Sequence, residues 1–186
     1  MAGHSKWAKL KHIKGKTDAQ KAKLFSKLVR FITVEVKKAK GDKNAPGVRT
    51  AVEKARAANM PLDNIERALS KASGDGAEPE QVTYEAYGPG GCALVLEAYT
   101  YNRNRTVQEL KHLLALHGGT LANPGAALWA FQSRRSGRLP DHSASGKNYE
   151  PISLIELSDE DAQKMAELSD ALEEHDDINE IYTNAA

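Results

Sequence analysis

The greatest concentration of one chemical group in this sequence lies in its first forty residues, where lysines recur every few positions. Residues 1–40 hold eleven lysines and one arginine against two acids, Asp18 and Glu35, a formal net charge of +10. Ammonium groups at this density can neutralise phosphates and release condensed counterions, so the segment predicts contact with a polyanion. A merely solvated basic face is the ordinary alternative. The residues predicted to contact nucleic acid here are Lys6, Trp7, Lys9, Lys11, His12, Lys14, Lys16, Lys21, Lys23, Lys27 and Arg30.

Trp7 stands apart from these cations because it is a large aromatic side chain among them. It could stack on a base, or it could pack against the helices that follow and so order the segment. The packing role is the commoner one for a single tryptophan in such a place. Lys9, Lys11, Lys14 and Lys16 are therefore stronger candidates for phosphate contact than Trp7 is.

A second place suited to an anion is the polar stretch of residues 100–106. Arg103 and Arg105 lie there between a predicted strand and a predicted helix, where backbone N–H groups are free to bind. The alternative is that both arginines form structural ion pairs and that Asn102 and Asn104 shape the loop. The sequence leaves both interpretations open.

Residues with catalytic or metal-binding chemistry are sparse and poorly spaced. His112 and His117 are five positions apart, whereas a helical zinc pair needs four, and no third ligand is near in sequence. Cys92 lies in an apolar run without a nearby histidine to activate it, which is typical of a buried inert thiol. Residues 88–91 (GPGG) match neither glycine-rich nucleotide-binding pattern. We therefore predict no catalytic residue, no metal and no cofactor.

Acidic residues are concentrated in the last part of the sequence. Residues 150–186 hold twelve acids against one lysine, a formal net charge of −11. The cluster of Glu173, Glu174, Asp176 and Asp177 could bind a cation or serve a nuclease, although a solvated helix end is commoner. A further hypothesis is that this acidic end limits indiscriminate adhesion to nucleic acid.

The composition limits the class of protein. With 186 residues, 40% of them hydrophobic, and a formal net charge of +1, the chain has enough apolar material for one or two compact domains. One cysteine cannot form an internal disulfide, which favours a reducing compartment. No apolar run approaches the roughly 20 residues that cross a bilayer, and the basic first residues lack the apolar centre of a secretory signal. We expect a cytoplasmic protein with no membrane partner and no small-molecule substrate, and the sequence leaves its oligomeric state open.

Apolar residues at helical spacing predict three helices before a domain boundary. The first begins at Thr17 in a capping-box pattern. The second follows Pro46, and the third has Pro61 at its first position. We predict a basic three-helix domain over residues 1–74 and a polar linker over residues 75–80.

After residue 80 the pattern changes to strands with helices among them. Residues 88–91 are predicted to connect a hairpin, and residues 133–151 to form a long exposed loop. Two helices among the strands predict an α+β sandwich over residues 81–186, with the helices covering one face of a mostly antiparallel sheet. The predicted order is ββαββαβ, over residues 82–87, 92–99, a helix capped by Thr106, 126–131, 152–157, a helix capped by Ser158, and 178–182.

Several stretches resemble one family, and together they cover most of the chain. They are AGHSKWAKLKHIKGKTDAQKAKLFSKL at residues 2–28, NMPLDNIERAL at 59–69, YEAYGPGG at 84–91, NRNRTVQELKH at 102–112 and IELSDEDAQKMAELSDALEEHDDINEIYTN at 155–184. On these stretches the sequence is similar to the YebC/PmpR family, which includes the mitochondrial translational activator of cytochrome oxidase subunit I.

The resemblance implies an N-terminal three-helix domain, α+β domains after it, and a nonenzymatic role in gene expression. Members are commonly described as DNA-binding transcriptional regulators, and others resemble ribosome-associated translation factors that help with proline-rich nascent chains. Residues 102–106 match the family's polar loop. Lys9, Ile13 and Ala86 depart from its usual residues. As a segment, the family's basic start is matched here by Lys6, Trp7, Lys9, Lys11 and His12, although Lys9 stands where Asn is more usual.

The chain also departs from the family in length. Members usually carry an additional small α+β domain, inserted between the positions that correspond here to Phe131 and Ile152. The resemblance therefore implies a short form that lacks the inserted third domain. The second domain should still close, because the segments on both sides of the insertion are present.

We therefore predict a nonenzymatic nucleic-acid-binding regulator of gene expression, a DNA-binding transcriptional regulator of YebC/PmpR type. The alternative is a ribosome-associated translation factor that binds ribosomal or transfer RNA and relieves stalling at proline-rich sequences. No recognition helix can be assigned, and phosphate contacts position a protein without specifying bases.

Overall fold

The chain folds into a helical part followed by strands and helices that build one main sheet. The computed structural model describes residues 18–72, 78–133 and 149–186. Its helices are α1 (Asp18–Lys38), α2 (Pro46–Ala57), α3 (Leu62–Lys71), α4 (Arg103–Leu116) and α5 (Asp159–Glu174), and its strands are β1 (Glu80–Tyr87), β2 (Ala93–Thr100), β3 (Thr120–Ala122), β4 (Phe131–Ser133), β5 (Tyr149–Pro151) and β6 (Ile178–Thr183). The predicted cap at Thr17 and the predicted contacts at Lys6, Trp7, Lys9, Lys11, His12, Lys14 and Lys16 lie outside the described residues.

Helices α1, α2 and α3 pack around an apolar core, as their periodicity predicts. Ile32, Val48 and Ile65, one from each helix, are almost wholly buried in that core. Removing these side chains from water is the main favourable term that holds the three helices together. The third helix begins one residue later than predicted, because Pro61 is its N-cap and Leu62 its first residue. None of the described helices is both long and apolar enough to span a membrane.

The main sheet has four antiparallel strands in the order β3-β1-β2-β6. β1 and β2 pair along their whole length. Residues 88–91 connect them, so the predicted hairpin is confirmed. Gly90 and Gly91 have φ angles of +68° and +75°, which glycine adopts without a Cβ clash. Strand β2 is buried at every position, so both faces of the sheet must be covered.

Different elements cover the two faces of the sheet. Helices α4 and α5 pack on one face, where Leu96, Leu110 and Leu168 are fully buried in a common core. On the other face, Phe131 and Tyr149 of the β4-β5 pair form a second core. The predicted α+β fold class, with helices on one face of an antiparallel sheet, is confirmed.

The helical part and the sheet meet at a junction formed by α1, β2 and β6. Tyr99 of β2 belongs to the core of the three helices, and its ring stacks on Phe31 of α1 with centroids 5.4 Å apart. At the edge of the junction, Nζ of Lys54 in α2 pairs with Oε1 of Glu180 in β6 at 2.6 Å. The first strands therefore help to bury the helices that precede them.

The predicted strand over residues 126–131 is wrong. Residues 128–130 form a single 3-10 turn, and β4 begins only at Phe131. The physical reason is the buried carboxylate of Glu85 in β1, which binds backbone N–H groups of this stretch and leaves them no role in a strand ladder. The donors are Gly125, Ala127 and Leu128, at 2.6, 2.6 and 2.9 Å.

The predicted loop over residues 133–151 is wrong at both ends, whereas residues 134–148 lie outside the described residues. The predicted strand over residues 152–157 is also wrong. Residues 149–151 form β5, which pairs with β4. Within 152–157, Ile155 makes an isolated bridge to Ala185, and no strand forms. A three-residue strand such as β3 or β5 carries no readable alternation, because its pairing is decided by distant neighbours.

Of the two N-caps predicted for the helices that cover the sheet, one is confirmed and one is wrong. Ser158 caps α5 as predicted, accepting the N–H of Asp161 at 3.1 Å. Thr106 does not cap α4, since Asn102 holds that position and accepts the N–H of Arg105. Thr106 lies instead in the first turn with its side chain buried, where it takes part in the site described next.

Candidate nucleic-acid interface

Three basic residues of α1 that are predicted to contact nucleic acid share one face of the helix. Lys23, Lys27 and Arg30 are spaced by four and three residues, which places them on the same side. That side faces the C-terminal end of α5. Nζ of Lys23 lies 3.4 Å from the carbonyl oxygen of Glu174. Nζ of Lys27 donates to the carbonyl oxygen of Glu173 at 2.5 Å.

The end of α5 attracts these cations because its last carbonyls have no partner within the helix. The negative end of the helix dipole adds to the attraction, and for Lys27 so do the acidic side chains of Glu173 and Asp176. Lysine and arginine commonly bind the last carbonyls of a helix when they lie nearby. The basic face of α1 therefore caps α5 from a distant part of the chain.

Two arginines meet at the carboxylate of Asp177, whose side chain is 0% exposed. Its Oδ1 accepts from Nη1 of Arg30, and its Oδ2 accepts from Nη2 of Arg105, both at 2.6 Å. The hydroxyl of Thr106 lies 2.7 Å from Oδ2. Arg30 also donates to the carbonyl of Asp176 at 2.7 Å. One buried carboxylate thus joins α1, α4 and the start of β6.

The environment of Asp177 favours its ionised form. Burial by itself would raise the pKa of this carboxyl, but hydrogen bonds from Thr106, Arg105 and Thr100 outweigh burial and hold the pKa below its usual value. The carboxylate is therefore charged at neutral pH. It acts as the counterion of both guanidinium groups.

Lys27 experiences the opposite balance. Burial between α1 and the end of α5 lowers the pKa of its ammonium to about 8, and the attraction of Glu173 and Asp176 offsets only part of that effect. Nearby Lys23 and Arg30 lower it further. The charge on Lys27 is thus held less firmly than that of an ordinary lysine.

His175 and Glu109 extend the cluster around Asp177. Nδ1 of His175 accepts the backbone N–H of Asp177 at 3.1 Å, so a neutral ring carries its proton on Nε2. That nitrogen lies 3.0 Å from Oε2 of Glu109. The candidate metal-ligand atoms of these three residues lie within 4.8 Å of one another. Both ring nitrogens and both oxygens of Asp177 already have protein partners, and two guanidiniums adjoin them, which disfavours a cation.

Arg103 and Lys21 lie apart from this cluster. Nε of Arg103 pairs with Oε2 of Glu80 at 2.6 Å, and both side chains are more than half exposed. Lys21 is exposed on the first turns of α1. Of the two interpretations of Arg103 and Arg105, the structure shows the ion pairs. Contact of either arginine with nucleic acid stays a prediction.

Sequence reasoning places Asp177 in an acidic cluster but does not anticipate its burial or its partners. Arg105 and Arg30, which bind it, are 72 and 147 positions away in the chain. The one local sign is that Asp177 directly precedes Ile178, the buried first residue of β6. His175 and Thr106 give no comparable sign.

Cys92 differs from these charged groups because its side chain lies in an apolar core. The predicted burial of its side chain is confirmed, with 0% exposure, and burial raises the pKa of the thiol. Its Sγ lies 3.7 Å from Sδ of Met165. A protonated thiol in an apolar core is a poor nucleophile.

The described fold thus consists of a basic helical part packed against an acidic α+β part. Two family models match the sequence in the same order. Residues 5–75 match the model described as the TACO1/YebC protein N-terminal domain. Residues 79–147 and 137–185 match the model described as the TACO1/YebC second and third domain. The chain therefore belongs to the TACO1/YebC family.

Relatives and a solved structure agree with this assignment. A protein of Pseudothermotoga lettingae named "Probable transcriptional regulatory protein" is 36% identical over 236 residues, covering 99% of this chain and 93% of the relative. One of the same name from Chloroherpeton thalassium is 37% identical over 237 residues, covering 99% and 95%. The crystal structure of a conserved hypothetical protein from Aquifex aeolicus has a TM-score of 0.82 at 33% identity, covering 98% of this chain and 97% of that one.

The alignments are longer than the chain itself. They extend over 236 and 237 positions, whereas the chain has 186 residues. Because nearly the whole chain is aligned, these two relatives contain residues that have no counterpart here.

Proposed function

We propose that this protein is a nonenzymatic regulator of gene expression that binds nucleic acid, and that the nucleic acid is DNA. The name shared by its relatives supports a regulatory role. The formal net charge of +10 over residues 1–40 supports binding to a polyanion. Lys23, Lys27, Arg30 and Arg105 already have protein partners in the described fold.

The observation that carries the proposal is the composition of residues 1–16, which contain five lysines and no acid. Each lysine that neutralises a phosphate releases counterions, so the logarithm of the binding constant falls with the logarithm of salt concentration with a slope of about −0.9 per contact on duplex DNA. Five such contacts predict a slope of about −4 to −5. These contacts position the protein without reading bases.

The site geometry supports a nonenzymatic role. The groups best suited to acid-base chemistry among the described residues, Glu109, His175 and Asp177, are engaged with one another and with Arg105. The acidic cluster that a nuclease would use contributes Asp177 to a buried ion pair and its carbonyls to α1. Purified protein that cleaves DNA or RNA in the presence of Mg²⁺ would contradict this part of the proposal.

We also propose that the chain is a two-domain short form. Residues 1–74 would form the basic helical domain and residues 81–186 the α+β domain, joined by residues 75–80. The residues of the relatives that have no counterpart in this chain would form a third domain, inserted between the positions of Phe131 and Ile152. The two overlapping matches to the second-and-third-domain model, which meet around residues 137–147, support that location.

Ribosomal binding is the second candidate function. A contact made by lysines through phosphates serves ribosomal or transfer RNA as readily as DNA, since the contact does not read bases. In that case the protein would act as a translation factor that relieves stalling at proline-rich sequences. Co-sedimentation with ribosomes at moderate salt, together with stalling at proline-rich codons in a deletion strain, would favour this candidate over DNA binding.

The DNA-binding mechanism is tested by fluorescence anisotropy with a labelled duplex across a salt series. Replacing Lys9, Lys11, Lys14 and Lys16 by alanine should weaken binding at least about tenfold and make the salt slope less steep by about 3 to 4. A matched control replaces four exposed cations outside residues 1–40, Lys43, Arg49, Lys71 and Lys111, and so removes the same charge. Equal losses in both variants would show that net charge alone, and not the basic segment, causes binding.

A further inference from the structure

Five cations of the helical part make contacts of the same polarity across the junction between the helices and the sheet. The cations come from the helical part, and the acceptors come from the α+β part or, in the case of Glu78, from the linker just before β1. The pairs are Lys23 with the Glu174 carbonyl, Lys27 with the Glu173 carbonyl, Arg30 with Asp177 and the Asp176 carbonyl, Lys37 with Glu78, and Lys54 with Glu180.

The acceptors at the end of α5 resemble a phosphate in what they offer to α1. They are oxygen atoms with negative charge or partial negative charge, arranged along the face that carries Lys23, Lys27 and Arg30. The side chain of Arg30 is only 19% exposed in this arrangement. A phosphate could bind Arg30, and with it all three donors at once, only by displacing Asp177 and the end of α5.

We propose that the helical part and the end of α5 are a closed pair, and that nucleic acid competes with α5 for the basic face of α1. The inference rests on the proposed function, because it assumes a nucleic-acid ligand. To that function it adds a step that regulates binding. In the closed arrangement Lys23, Lys27 and Arg30 are engaged by the end of α5 and by Asp177. In the open arrangement Lys23, Lys27 and Arg30 add their contacts.

The outer pairs of the junction are weak, and its strongest ion pair is that of Arg30 with the buried Asp177, which opening must break. Pairs between partly exposed ions each strengthen an association by a factor of only about 1.5 to 5. Lys54 and Glu180 are 46% and 39% exposed, and Lys37 and Glu78 are 30% and 55% exposed. The stack of Phe31 on Tyr99 supplies the apolar part of the contact. Three new phosphate contacts can offset the loss of the exposed pairs, and a phosphate on Arg30 takes the place of the Asp177 carboxylate.

Competition of this kind is reciprocal. If opening the junction exposes phosphate-binding donors, any change that favours opening must raise affinity for nucleic acid, and nucleic acid must favour opening by the same factor. The apparent association constant is the mean of those of the closed and open forms, each weighted by its population, so it rises with the population of the tighter-binding open form. Weakening the acidic side of the junction, which does not touch the ligand, should therefore tighten binding.

The first experiment neutralises the acidic side and measures duplex binding by anisotropy. The variant Glu173→Gln with Asp176→Asn removes two charges that attract Lys27. The matched control Glu156→Gln with Glu160→Gln removes two exposed charges that do not face α1. We expect the first variant to bind about threefold to tenfold more tightly than the control. Equal affinities would overturn the competition.

The second experiment locks the junction. Lys54→Cys and Glu180→Cys, at two partly exposed side chains in contact, are joined with a short bismaleimide. Cys92 is fully buried and does not compete for the reagent. The locked protein should bind duplex DNA several-fold more weakly than the same variant left unjoined and capped with N-ethylmaleimide. Identical affinities of the two forms would overturn the inference.

The two proposals fail separately. If replacing Lys9, Lys11, Lys14 and Lys16 leaves duplex affinity unchanged, the proposed function is wrong. If that replacement weakens binding while the acidic and locked variants bind like their controls, nucleic acid does bind and only the competition is wrong.

Discussion

Replacing Asp177 by asparagine should destabilise the protein, because one buried carboxylate holds α1, α4 and the start of β6 together. Asparagine keeps the shape but loses the charge and one acceptor, so it cannot serve Arg30, Arg105 and Thr106 at once. Hydrogen bonds to charged groups contribute about 1.5–3 kcal/mol each. The Arg105 side chain is 49% exposed, and its share is reduced towards the about 0.2–1 kcal/mol of a surface pair.

The expected loss from Asp177→Asn is about 2–4 kcal/mol in the free energy of unfolding, measured by urea denaturation at pH 7. Asp170→Asn is the control, because it makes the same change at an exposed position of α5. Such a surface substitution should stay within about 0.5 kcal/mol of the wild type. A loss for Asp177→Asn no larger than that of the control would refute the structural role of this carboxylate.

The pH dependence of the same variant gives an independent check. The pKa of Asp177 is lower in the folded protein than in the unfolded chain, so its stabilisation is complete above about pH 4 and is lost as pH falls through the folded-state pKa. The difference between wild type and Asp177→Asn should therefore shrink as the pH falls below about 4. A difference that stays constant as the pH is lowered well below about 4 would contradict the ion pair.

Three further predictions concern other buried groups. In an NMR titration, the Lys27 side chain should have its midpoint at about 8, whereas hydrogen-bonded Lys164 should titrate above its ordinary value of 10.5. Between about pH 8 and 10.5 the folded protein binds fewer protons at Lys27 than the unfolded chain does, so the contribution of Lys27 to the free energy of unfolding rises with pH in that range. A Lys27 midpoint above 10 would contradict its burial. Glu85→Ala leaves three backbone N–H donors unpaired and should cost about 2–4 kcal/mol in urea denaturation, with a loss under 1 kcal/mol counting against that role. Cys92 should react with Ellman's reagent only after unfolding, and rapid reaction of the native protein would show that the core around it opens.

Most of the secondary structure follows from local pattern. The apolar stripe of α1 and the turn at residues 88–91 predict their elements because a helix face or a tight turn is specified within a few residues. The failures occur where long-range partners decide the outcome. Residues 128–130 form a 3-10 turn because the carboxylate of Glu85, more than forty positions earlier, accepts the backbone N–H groups of Ala127 and Leu128. Strand β5 forms because β4 supplies its hydrogen bonds.

The candidate site divides in the same way. Sequence identifies the basic residues of α1 and the acidic cluster near residue 177 as charged segments, since charge can be counted. It does not show that these segments face one another, because the spacing of 146 or 147 residues between partners carries no periodic signal. The same lysines therefore look like free phosphate contacts in the sequence and like helix caps in the structure.

The sequence by itself determined the fold class and the strong separation of charge between residues 1–40 and residues 150–186. Both follow from properties that each residue carries wherever it lies. Only the tertiary structure decided that the positive and negative segments neutralise one another at the end of α5, with Asp177 buried between two arginines. The physical reason is that electrostatic attraction depends on distance in space, and the packing of α1 against the sheet sets that distance.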